Sequence, residues 1–351
     1  MGAIDYKKFL NTTFDNFYLE KIIGEGGMGV VYKAFDRTLN RYVALKVLKK
    51  EHITKENKLL ERFKLEATNV ASLQHPNIIN VFSVGHCHGL NYIAMEYVKG
   101  HKLSDLLNRS LDLKSSIHII YKVSKALEYS HEKGIIHRDI KPANIMISDH
   151  DCEVKVVDFG LSKPILSGDT NISKFGDIIG TPVYLAPELW ESSSNVSVKC
   201  DIYSLGIVFY ECVTGKYPYR GDTNNSLYKS ILLNNYIEAI KLNSDISVDL
   251  NSLINKMLKR DATFRIDIKK VILDLENILH EYDLNYLTSD IIQTKNKYNE
   301  STIITNKDND ETLSLISQEL IKSYKDKEKY FIYVLFSVIL SIIIASVYLI
   351  F

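Results

Sequence analysis

At 351 residues the chain is too long for one small domain, and one larger domain followed by a tail fits the length. Lys+Arg and Asp+Glu stand at 43 each, so no basic excess marks nucleic acid as the main partner. A hydrophobic share of 46% beside 25% charged residues is ordinary for a protein with a buried core.

Residues 1–16 read as an N-terminal extension with neither a basic-then-apolar leader nor, with Tyr6 at position six, a myristoylation pattern. Alternation of β-branched and polar residues then predicts a meander of strands over Phe17–Gly24, Val30–Phe35 and Arg41–Leu48. Between the first two lies Gly24-Glu25-Gly26-Gly27-Met28-Gly29-Val30-Val31, a G-x-G-x-x-G-x-V turn whose backbone N–H groups can face anionic oxygens. A strand follows it rather than a long helix, which counts against a dinucleotide site. The third strand carries Val43-Ala44-Leu45-Lys46, and a lysine at the end of an apolar strand needs anions to be placed inside.

A charged helix is predicted over Lys58–Leu73, carrying Glu66 and ending before His75-Pro76. Strands over Ile78–Val84 and Asn91–Glu96 complete a small lobe, and His86-Cys87-His88, with no further ligands nearby, is the turn between them. Helical periods dominate from Leu103 onward, notably at Ile117–Lys133, Asp201–Thr214, Thr223–Asn234 and Asp249–Leu258. The four cysteines, Cys87, Cys152, Cys200 and Cys212, form no CxxC pair and read as reduced cytosolic thiols.

Among the helices come His137-Arg138-Asp139-Ile140-Lys141-Pro142-Ala143-Asn144, then Asp158-Phe159-Gly160, then Ala186-Pro187-Glu188. With these three in order after the glycine turn and Lys46, the sequence resembles the eukaryotic-like serine/threonine protein kinases of bacterial type over about Phe17–Ile278. The resemblance implies an α+β, bilobal protein-kinase fold, with a kinase domain at 17–282, acting on protein substrates.

The resemblance also assigns roles. Asp139 would accept or orient the proton of the substrate hydroxyl, and Lys141 would neutralise charge growing on the γ-phosphate. Asn144 and Asp158 would hold Mg²⁺, with Mn²⁺ as the alternative. Lys46 would contact the α/β-phosphates of ATP while Glu66 holds it in place. Ile23, Gly24, Glu25, Gly26, Gly27, Met28 and Gly29 would cover the nucleotide, and Val31, Ala44 and Met146 would sandwich the adenine. Met95 is the gatekeeper, and the backbone of Glu96 and Val98 would make the hinge hydrogen bonds. Val70, Val81, His137 and Phe159 would stack between the lobes, Glu188 would pair with Arg265, and Asp201 would brace the catalytic loop.

Lys141 and Thr181 fit serine/threonine rather than tyrosine acceptors, with dual specificity as the alternative and Thr181 as the substrate platform. Ala143 offers no carboxylate for a basic substrate residue, and Lys102 departs from the polar or acidic residue usual near the ribose. Arg138 before Asp139 points to control by activation-loop phosphorylation, with Thr170 and Ser173 as the favoured sites. A pseudokinase scaffold would normally lack Lys46, Asp139 or Asp158, and a small-molecule phosphotransferase seldom shows the Ala186-Pro187-Glu188 element.

Residues 283–310 read as a polar linker and 311–329 as a juxtamembrane segment. Tyr330–Phe351 is an uncharged run of about 22 residues, which as a helix spans roughly 30 Å, the thickness of a bilayer core. Lys322, Lys325, Lys327 and Lys329 before it favour the cytoplasmic side and anionic lipid. One C-terminal transmembrane helix, with the catalytic domain in the cytosol (at the inner membrane in a bacterium), is therefore expected. Ser337, Ser341 and Ala345 recur every four residues and would allow close helix approach in a homodimer.

Overall fold

The structure is a computed structural model that describes residues 4–26, 29–49, 70–107, 111–159, 182–192 and 195–281. These all fall within one compact unit, Met1–Gln293. Gly27, Met28, Glu66, Thr170, Ser173 and Thr181 lie outside the described residues, as do the linker, the juxtamembrane segment and the expected span at 330–351. Among the described residues no helix is long and apolar enough to cross a membrane.

The small lobe is one antiparallel sheet of β1 (Thr13–Phe14), β2 (Phe17–Glu25), β3 (Gly29–Asp36), β4 (Arg41–Leu48), β5 (Val81–Cys87) and β6 (Leu90–Glu96), in the order β1-β2-β3-β4-β6-β5. The period of two assigns each side chain to a face. Val30, Tyr32 and Ala34 of β3, Val43, Leu45 and Val47 of β4, and Tyr92 and Ala94 of β6 share one core. The intervening Val31, Ala44, Ile93 and Met95 form another on the opposite face. Val43–Val47 is buried without a break because both faces are covered. The residues ahead of Phe17 supply one of those covers. Tyr6 and Phe14 join the first core, Tyr32 Oη donates to the Tyr6 carbonyl at 2.7 Å, and the Tyr92 hydroxyl donates to Asp15.

In the large lobe the helices are α1 (Leu103–Leu107), α2 (Leu113–Glu132), α3 (Pro187–Glu191), α4 (Val198–Thr214), α5 (Asn224–Leu232), α6 (Val248–Met257) and α7 (Ile268–Glu281). Apolar on nearly all sides, α4 is buried from Cys200 through Tyr210 and forms the centre of the lobe. Asp112 caps α2 by accepting the Ser115 N–H at 2.8 Å, and Thr223 and Ser226 close a capping box on α5. A second sheet of β7 (Gly100–Lys102), β8 (Ile145–Ser148) and β9 (Val154–Val156) lies against this core. Asn77 ties the segment before β5 to β9: its Nδ2 donates to the Val154 carbonyl at 2.8 Å, and its own carbonyl accepts the Val156 N–H at 2.9 Å.

Candidate active site

The catalytic segment owes its shape to one buried carboxylate. Arg138 has a left-handed backbone, φ 68°, which costs a non-glycine residue about 1–2 kcal/mol. Asp201, on α4 and fully buried, holds that turn by accepting the His137 N–H and the Arg138 N–H, each at 2.8 Å. His131 Nε2 meets the same carboxylate at 2.8 Å.

His137 Nε2 lies 3.0 Å from the Val157 carbonyl, and its Nδ1 accepts the Asp139 N–H at 3.2 Å, which fixes the proton on Nε2. Burial holds this imidazole below its ordinary range, so it stays neutral. Its ring packs on Phe159 with centroids 4.5 Å apart. Phe159 shares a core with Val70, and Val81 packs against that core.

Asp139 follows directly. Lys141 Nζ reaches its Oδ2 at 2.7 Å, and Asn144 Nδ2 donates to the same oxygen at 3.0 Å and to the Asp139 carbonyl at 2.8 Å. With both amide protons used, Asn144 is oriented so that its Oδ1 remains as an acceptor.

Asp158, φ 58°, receives Lys46 Nζ at 2.7 Å on Oδ1. Burial pushes the Asp158 carboxyl up, but the charge and hydrogen bond of Lys46 more than offset this and hold it below the ordinary carboxylate range. Lys46 comes from the small lobe and Asp158 from the large one, so the pair spans the cleft. Asn144 Oδ1 and Asp158 Oδ2 are hard oxygen donors suited to a divalent cation beside phosphates. No group of three or more His, Cys, Asp or Glu able to hold a metal occurs among the described residues, and His86 instead meets Asn91 Oδ1 at 3.0 Å.

Ile23, Val31, Ala44, Met95 and Val98 pack into a single apolar cluster, which Ile79 and Val157 also join. Met146 belongs to β8, where Ile145 and Ile147 point into the large-lobe core and Met146 takes the other face, opposite Lys102 in the ladder. The Glu96 N–H donates to the Asn80 carbonyl at 2.8 Å. Its carboxylate accepts Asn80 Nδ2 at 2.8 Å and pairs with Lys155 Nζ at 3.0 Å. This network of Asn80, Glu96 and Lys155 escapes motif reading because each residue looks like a solvated polar group in its own segment. At the glycine turn the Gly26 N–H donates to the Gly29 carbonyl at 3.0 Å. A Cβ on Gly29 would lie 2.6 Å from the Val47 carbonyl oxygen, so only glycine fits there.

On the far side of the lobe Arg265 is buried and forms a bidentate pair with Glu188, at 2.7 and 3.0 Å. Its remaining donors go to the carbonyls of Lys199, Lys259 and Arg260.

A bilobal fold with a lysine-to-aspartate bridge across its cleft and an aspartate–lysine–asparagine cluster below it defines the class. Residues 17–274 match the protein kinase domain family, and the chain belongs to it. It is similar to a probable serine/threonine-protein kinase of Clostridium acetobutylicum, 38% identical over 314 residues, covering 86% of this chain and 46% of that one. Another, from Clostridium perfringens, is 41% identical over 267 residues, covering 75% and 38%. The chain thus spans less than half the length of these curated relatives. Among solved structures, Rad53 1–466 in complex with AMP-PNP superposes with a TM-score of 0.61 at 28% identity, covering 75% of this chain and 66% of that one.

Proposed function

We propose that this protein transfers the γ-phosphoryl group of ATP to serine or threonine hydroxyls of protein substrates, and that its C-terminal segment holds it at a membrane. The arrangement of Asp139, with Lys141 and Asn144 both on its Oδ2, carries the first part. Asp139 takes the proton of the attacking hydroxyl, and Lys141 lies beside it to stabilise negative charge on the transferring group. Asn144 and Asp158 would hold Mg²⁺, which when bound draws charge from the phosphate oxygens. Lys46 exchanges its contact with Asp158 for the nucleotide phosphates, and Ile23, Val31, Ala44, Met95 and Met146 enclose the base. Phosphoryl transfer needs little covalent help from the protein, so positioning and electrostatics suffice. The names of the two clostridial relatives support serine/threonine specificity, and the AMP-PNP in the Rad53 complex supports ATP.

Autophosphorylation at Thr170 or Ser173 completes the reading, with Thr181 as substrate platform. Arg138 supports it, because its buried Nε has no hydrogen-bond partner among the described residues and a phosphate would supply one. The membrane part rests on the uncharged run Tyr330–Phe351 and the four lysines before it, and the small residues at Ser337, Ser341 and Ala345 favour a homodimer.

One set of variants tests both parts. Asp139→Asn should lower kcat for a serine-containing protein substrate by about 10²–10⁴-fold, the range for loss of a positioned base, while melting with the wild type. Near-normal turnover would overturn the assignment. The full chain should resist carbonate extraction from membranes and residues 1–329 should be released; equal release of both would overturn the anchor.

A further inference from the structure

Outside the nucleotide site, a cleft of about 370 Å³ is lined by Val183, Lys216, Tyr217, Arg220, Asp222 and Leu227, none of which belongs to the site described above. Its walls are fixed. Tyr184, next to Val183, donates its hydroxyl to Glu211 Oε2 at 2.7 Å, and its carbonyl accepts the Ser204 hydroxyl at 2.7 Å. The loop joining α4 to α5 is anchored by Tyr219, which is 1% exposed and donates to Asn234 Oδ1 at 2.7 Å. That loop also lies flat on α5: a Cβ on Gly221 would be 2.2 Å from the Leu227 nitrogen, so the contact requires glycine.

On this rigid support the charged side chains are left open. Lys216, Arg220 and Asp222 are exposed, and none forms an ion pair among the described residues. Two cations against one carboxylate give the cleft a positive balance. Glu211 is not part of the lining, and its carboxylate accepts the Tyr184 hydroxyl behind the wall. Val183 is two residues beyond Thr181, so the cleft begins within about 7 Å of that residue along the chain. Ala143, four residues past Asp139, adds no carboxylate that would favour a basic peptide.

We infer that this cleft is a docking subsite for an acidic residue of the protein substrate, read by Lys216 and Arg220. The inference rests on the protein-kinase reading, in which Thr181 faces the substrate chain. Fixed walls with free cations give selectivity by charge, while the half-exposed Tyr217 offers an apolar flank to the peptide.

Binding tests this independently of phosphoryl transfer. Fluorescein-labelled serine peptides that differ in one flanking position (glutamate, phosphoserine, glutamine or lysine) are titrated into the full chain without nucleotide. The glutamate peptide should bind about tenfold more tightly than the glutamine one, the size two partly exposed charge pairs supply, and the preference should fade with added salt. K216E/R220E should reverse the order in favour of lysine, and K216Q/R220Q should abolish it, both melting with the wild type. Equal affinity for all four peptides, or an unchanged preference in either double variant, would overturn the subsite. A preference for phosphoserine with none for glutamate would overturn the carboxylate assignment. In the same preparations, transfer of phosphate to the glutamine peptide reports on the kinase reading alone. If no peptide is phosphorylated, that reading falls while the binding order still decides the cleft.

Discussion

Asp201 governs the catalytic segment from behind. Its two oxygens take two peptide N–H groups and one imidazole, and no described contact joins it to Asp139 itself. Alanine at this position would leave the His137 and Arg138 N–H groups buried without acceptors, at about 1–3 kcal/mol each. The left-handed turn at Arg138 would then lose what holds it and relax toward an ordinary conformation. Asp201→Ala is therefore expected to destabilise the protein by about 2–4 kcal/mol in urea unfolding and to lower kcat while leaving the KM for ATP near its wild-type value. Asp201→Asn keeps one acceptor and should fall between the two. A destabilised variant with unaltered kcat would show that Asp201 supports the fold without shaping the catalytic turn.

At the scale of elements, what the sequence reveals depends on length. Arg41–Leu48 is read to its ends, because eight residues display both faces of a covered strand. Ile78 is expected in a strand but only bridges to Val156, and β5 starts at Val81, since Asn77 diverts that segment to β9. β7, β8 and β9 have three or four residues each, too few for a period to declare itself. α7 was open to detection: Ile268, Val271, Ile272, Leu275, Ile278 and Leu279 keep helical spacing and are buried.

The five-residue α3 is too short to persist by itself, and Arg265 clamps it through Glu188. Burial pushes the Glu188 carboxyl up, but two hydrogen bonds and the charge of Arg265 outweigh it and leave the group below its ordinary 4.5. The unfolded chain therefore binds the extra proton first as pH falls. The stabilisation is fully present above 4.5 and lost as pH drops through the lowered folded value. Glu188→Gln leaves a buried guanidinium without its anion and should cost about 3–5 kcal/mol at neutral pH. The gap between wild type and variant should close in melts below pH 4.5. A gap that persists unchanged in acid would mean that packing, not charge, holds α3.

For the whole molecule, the cleft is where local and distant information meet. Asp139, Lys141 and Asn144 lie in one run of the chain, so the resemblance carried by that run pointed to all three members of the cluster. Asn80, Glu96 and Lys155 come from three segments, and only the fold shows that they meet. Lys46 and Asp158 are 112 residues apart and form a 2.7 Å pair between the lobes. A nucleotide that engages both should therefore couple the lobes and stabilise them together. At a hundredfold excess over its Kd, a non-hydrolysable ATP analogue with Mg²⁺ should add about 2.7 kcal/mol, which for a domain of this size raises Tm by roughly 5–10 °C. Lys46→Met removes the ammonium from the middle of that linkage without opening the sheet, because Ala44 and Met95 still cover the same face. Its Tm without nucleotide should fall only modestly, because Asp158, which loses its cation, keeps a side chain 31% exposed to water, and the analogue should no longer raise it at the same concentration. A full thermal shift in Lys46→Met would mean that the nucleotide is held without the Lys46 ammonium, and that the ion pair across the cleft plays no part in joining the lobes.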